Sequence, residues 1–91
     1  MILVSSTSLD NVTWTPIYPP RDCASIVIEN LTQVMCNLRT SASDADSEIP
    51  LIPGARREFG TGRGETRFWQ NQPLFYGQLA SGTGKVRVIA N

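Results

Sequence analysis

Proline and glycine punctuate this chain from Pro16 to Gly84. The 91 residues carry six prolines and seven glycines, although residues 21–49 contain neither. Between the breaks lie short runs rich in Val, Ile, Thr and aromatic residues. Those side chains suit a pleated, half-buried surface, so the pattern predicts strands and turns throughout. No window of helical length shows an unbroken apolar stripe, and no internal repeat or linker divides the chain. The expectation is an all-β chain: one antiparallel β-sandwich or jelly-roll-like barrel of about seven short strands. Residues 1–13 are expected to form an extended N-terminal arm and residues 14–91 the β-sandwich domain.

Two hairpins follow from alternation. Setting Glu29 opposite Gln33 aligns Ile28 with Val34, Ile26 with Cys36 and Ala24 with Leu38, which makes one face apolar and leaves Asn30-Leu31-Thr32 as the loop. In the second, residues 74–81 and 84–91 flank Gly82-Thr83, with glycine where a type II′ turn requires it. Phe75, Gly77 and Leu79 then share a face with Val86, Val88 and Ala90, and Gln78 lies opposite Arg87. Shorter strands are expected at 48–52 and 66–69, with a turn at Pro53-Gly54.

Composition narrows the chemistry. Eight basic residues balance eight acidic ones, which removes the electrostatic footprint of a nucleic-acid or anionic-membrane binder. There is no histidine, so Ser-His and Cys-His nucleophile pairs and imidazole-bound zinc are excluded. The longest apolar runs are three or four residues, far short of the roughly 20 that span a bilayer. The start lacks a basic segment ahead of its apolar residues, so no secretory signal is expected, and the tripeptides Asn11-Val12-Thr13 and Asn30-Leu31-Thr32 read as accidental glycosylation matches. Cys23 and Cys36 are expected as two thiols, because Cys36 falls on the apolar face and Cys23 has the opposite parity to Ile26.

Several motifs fail on inspection. Ser81-Gly82-Thr83-Gly84-Lys85 resembles the end of a phosphate loop, but Leu79 stands where its first glycine belongs and Val86 follows the lysine. Asp44, Asp46 and Glu48 alternate as in a calcium loop, yet Ile49 occupies the glycine position and Ala55 the position of the bidentate glutamate. Catalytic, cofactor-binding and metal-binding residues are therefore all expected to be absent. What remains is contact chemistry. Seven of the eight cations are arginine, and Arg56, Arg57, Arg63 and Arg67 cluster in one segment. Arginine is enriched at protein contacts and lysine depleted, and Trp14, Tyr18 and Trp69 are aromatic anchor candidates, with core packing the safer reading for most of the rings. Those seven residues are the interface candidates.

Taken in order, Trp14-Thr-Pro-Ile, the Cys-x-x-Ile-Val-Ile-x-Asn strand ending at Asn30, Leu38-Arg-Thr, Ile52-Pro-Gly, Arg67-Phe-Trp and Gly82-Thr-Gly-Lys-Val-Arg-Val form a recognisable series. It resembles the small all-β virion proteins of tailed bacteriophages, over most of the chain from Trp14 onward. The resemblance implies a non-enzymatic structural protein, a capsid decoration or cement protein assembled in the host cytoplasm into the virion. Its partners would be the major capsid protein or other virion proteins and copies of itself, with a trimer favoured, and neither nucleic acid nor membrane. A tail, fibre-base or connector component is the alternative within virions. A carbohydrate- or host-receptor-binding β-sandwich module is the alternative outside that class.

Overall fold

The computed structural model describes residues 2–60 and 68–90. Among the described residues eight strands are formed: β1 (Leu3–Asp10), β2 (Thr15–Ile17), β3 (Ser25–Asn30), β4 (Cys36–Arg39), β5 (Ile49–Leu51), β6 (Arg56–Gly60), β7 (Phe75–Leu79) and β8 (Thr83–Ala90). A 3-10 turn, Ala45–Ser47, lies between β4 and β5. The strands make two antiparallel four-stranded sheets, ordered β1-β8-β3-β6 and β2-β7-β4-β5, and these do not close into a barrel. The chain is thus all-β and sandwich-like.

The pairings are nested. β1 pairs with β8, β2 with β7, β3 with β6 and β4 with β5, so the chain behaves as one long ribbon doubled back at the β4–β5 connection. Contacts of β3 with β8 and of β4 with β7 then join the folded ribbon into two sheets. Inner faces follow the alternation. Ile26, Ile28, Val86, Val88 and Ala90 from the first sheet meet Cys36, Leu38, Phe75 and Leu79 from the second, with Leu9, Ile17 and Leu51 supplied by edge strands. Each such aliphatic side chain contributes about 1.5–3 kcal/mol when fully buried, so the central strands supply most of the driving force.

Both expected hairpins are corrected. β3 and β4 lie in different sheets, as do β7 and β8, so Ile28 faces Val88 and Arg57 as ladder partners rather than Val34, and Gln78 pairs with Asn37 rather than Arg87. The reason is geometric. A hairpin within one sheet and a crossover between two facing sheets bury the same alternate residues, so alternation names the face and leaves the partner open. The N-terminal segment is corrected too, because residues 3–10 pair along their whole length with β8 and Leu9 is 2% exposed. An arm expected outside the fold is its first strand. The turn at Pro53-Gly54 forms as expected: Ala55 N–H donates to the Ile52 carbonyl at 3.0 Å and Gly54 has φ of 76°. Proline followed by a residue of positive φ is what a type II turn demands.

Two polar residues that alternation does not single out direct the crossovers. Asn30 is fully buried, and its Nδ2 donates to the carbonyls of Val34 (2.8 Å) and Leu51 (2.9 Å). Its Oδ1 accepts from the Thr32 backbone N–H at 2.9 Å and from Thr32 Oγ1 at 2.6 Å. One amide thereby holds the β3–β4 crossover against the end of β5, and its nitrogen is closed to glycosylation in the folded chain. At the other end, Asp10 Oδ1 accepts from the N–H groups of Val12 (2.9 Å) and Thr13 (2.7 Å), which stops β1 and turns the chain toward β2.

Candidate functional site

The sequence-expected contact residues do not form one patch. Trp14 is half-buried, with the Arg39 guanidinium 4.1 Å from its ring centroid. Arg39 Nε lies 3.5 Å from Glu48 Oε1, and its Nη1 donates to the Ala42 carbonyl at 3.1 Å. One face of the Trp14 ring is thus occupied by a cation–π stack. Tyr18 is exposed and lines a groove beside β1. Trp69 is exposed while Phe68 packs on the core and bridges Cys23, so of these neighbouring rings one turns inward and one outward.

Arg56 and Arg57 stand exposed on β6, where Arg56 is the ladder partner of Glu29 and the Arg57 guanidinium lies 5.9 Å from the Phe59 ring centroid. Tyr18 sits by β1, three strand positions away across the first sheet, which is about 14 Å at normal strand spacing. Arg63 and Arg67 lie outside the described residues, as does the first half of the strand expected at 66–69.

The remaining chemistry is quiet. Thr40 N–H and Oγ1 both donate to Ser47 Oγ at 3.0 Å, and Ser47 Oγ donates to the Asp44 carbonyl at 2.9 Å, so the acidic loop is tied to itself. Among the described residues no three His, Cys, Asp or Glu side chains gather as a metal site. Cys23 and Cys36 are both buried thiols, and burial pushes the Cys36 thiol up to about 11. A thiol that stays protonated through neutral pH is a packing group rather than a nucleophile. The backbone N–H groups of Thr13 and Val12 hold the Asp10 carboxyl below its ordinary value, because they stabilise its charged form.

The sheet edges differ from one another, and here the structure shows what the sequence did not announce. Among the described residues four strands are edges: β1 and β6 in one sheet, β2 and β5 in the other. β2 and β5 are three residues long and contain Pro16 and Pro50, which lack a backbone donor. β6 presents Arg56, Arg57 and Glu58. Short length, proline and charge are the usual protections of an edge. β1 has none of them: it is eight residues long and reads Leu-Val-Ser-Ser-Thr-Ser-Leu before its terminal Asp10. Beside it runs an open groove of about 710 Å³ lined by Val4, Ser6, Ser8, Pro16, Tyr18 and Pro20, among others. Ile2, Leu3 and Val4 are exposed at one end of this edge.

Compared with protein-family models, with curated proteins and with solved structures, the chain matches none.

Proposed function

We propose that this chain is a non-enzymatic structural protein of a tailed-phage virion, a decoration or cement protein that binds the major capsid protein and stabilises the shell. The observation that carries the reading is the nested order of the eight strands, β1-β8-β3-β6 over β2-β7-β4-β5. This order suits a jelly roll, in which a long ribbon wraps into two facing sheets, and jelly rolls recur in viral capsid and lectin domains. That step is an analogy of fold, and it agrees with the residue pattern that resembles phage virion proteins. The unprotected β1 edge and the apolar strip at Ile2, Leu3 and Val4 suit a protein whose work is association.

Particles assembled with and without the chain test the proposal. The chain should co-purify with shells, and shells lacking it should release DNA at a lower temperature. Shells that exclude it, or that release DNA at an unchanged temperature, contradict the role.

One observation favours a second reading. Tyr18 stands in a groove whose walls are rich in Ser and Thr hydroxyls, an arrangement that suits a sugar ring. Under that reading Tyr18→Ala abolishes binding of host surface polysaccharide, whereas Trp14→Ala does not, since Arg39 already covers the Trp14 ring.

A further inference from the structure

We propose that the free edge of β1 pairs with β1 of a second copy of this chain, antiparallel and centred on Ser6, to give one continuous eight-stranded sheet. The inference rests on the edge strands alone and stands whether or not the virion role does.

An unprotected edge offers a row of backbone donors and acceptors to any extended segment, so the occupant must be argued from β1 itself. A two-fold contact sets each residue against a symmetric counterpart. A strand carrying charge near its centre would meet its own charge there, and like charges directly opposed are destabilising. From Leu3 to Leu9 β1 has no charged residue. Centred on Ser6, Leu3 lies opposite Leu9, Val4 opposite Ser8, Ser5 opposite Thr7, and Ser6 opposite its own copy. Each pair matches in face, since Ser5, Thr7 and Leu9 turn inward while Val4, Ser6 and Ser8 turn outward. A shift by one residue would set inward side chains against outward ones. Asp10 falls opposite Ile2, so the two Asp10 carboxylates stand at the far ends of the ladder.

The groove supplies room. It lies along the same edge, walled by Pro16 and Tyr18, and the partner strand would cover those residues and the exposed apolar Leu3 and Val4. The product also ends cleanly. With both β1 edges consumed, the outer edges of the joined sheet are the two β6 strands, each bearing Arg56, Arg57 and Glu58. An isologous contact with charged outer edges closes at two copies and does not grow into a fibre.

Cross-linking reads the register directly. Directly opposed residues in an antiparallel pair have Cα atoms about 4.5–5.5 Å apart, within the range a disulfide spans. Ser6→Cys should therefore form a disulfide-linked dimer on mild oxidation. Ser8→Cys, whose copy sits four residues further along at about 14 Å, should not. Both positions are exposed, and Cys23 and Cys36 are buried and do not compete. The unmodified chain should sediment at micromolar concentration with twice the mass of one chain. A monomeric or trimeric mass, equal cross-linking of the two variants, or a dimer that Ser6→Cys fails to cross-link overturns the proposal.

Discussion

The two edges of the first sheet, β1 and β6, solve the same problem in opposite ways. Both flank central strands, β8 and β3, whose inner faces are fully buried, and both contribute little to the core beyond Leu9 and Phe59. β6 places Arg56, Arg57 and Glu58 on its five residues, while β1 runs through seven uncharged residues before Asp10. The difference lies in what each edge permits to dock, and in a chain of neutral net charge the placement of charge decides it.

The most disruptive way to break the comparison is to remove the anchor of β1. Leu9 is buried, and its methyl groups come close enough to Gly77 that a Cβ there would stand 2.9 Å from one of them. Leu9→Ala should cost about 2–5 kcal/mol in urea unfolding. A cost below about 0.5 kcal/mol, typical of surface sites, would show that β1 is not part of the cooperative unit.

Next in size is Asn30→Leu, which removes the buried side-chain donor to the Leu51 carbonyl while Thr32 Oγ1 still donates to the Val34 carbonyl at 2.9 Å, and it should cost about 1–3 kcal/mol. Because Asn30 also exchanges backbone bonds with Gly54 and Ala55, hydrogen exchange should accelerate more at 51–60 than at 3–10. Equal acceleration at both edges would contradict the assignment of this clamp to the β6 side.

A smaller effect on stability accompanies removal of charge from β6. The double substitution Arg57→Ser and Glu58→Ser should change unfolding by no more than about 0.5 kcal/mol. It should nonetheless add species heavier than the wild-type assembly in sedimentation, because a second unprotected edge becomes available. An unchanged mass distribution would mean that charge does not protect β6.

The smallest effect belongs to Asp10. Its folded pKa is held below the unfolded value of 3.8, so its contribution is fully present above that value and is lost as pH falls through the folded pKa. The acid limb of a stability–pH curve should flatten slightly in Asp10→Asn, and an identical limb would remove the Asp10 turn from the account.

Much of the inner face was readable from alternation: Ile26, Ile28, Cys36, Leu38, Phe75, Leu79, Val86, Val88 and Ala90 are buried as expected. Strand partners were not, because Ile28 is equally satisfied beside Val34 in a hairpin or across a sandwich from it. The deciding residue was Asn30, a buried amide whose bonds to Val34 and Leu51 carry the chain across, and a polar residue at a strand end looks in sequence like any loop residue. The candidate site fared unevenly for a similar reason. Tyr18 and Trp69 are exposed, whereas Trp14 is covered by Arg39, which is 25 residues away in sequence and brought near only by the β2-β7-β4 order. The edge strand was hidden because a run of Ser and Thr between Val4 and Leu9 reads as an arm until a partner such as β8 is known.

The central claim, that β1 is the open edge and β6 the closed one, is tested most directly by moving the protection. Ser6 is exposed at the middle of β1, and Ser6→Lys places a charge there that would face its own copy across the two-fold axis. The account predicts that wild type sediments as a dimer and that Ser6→Lys sediments as a folded monomer with unchanged far-ultraviolet circular dichroism. A Ser6→Lys variant that remains dimeric would contradict it.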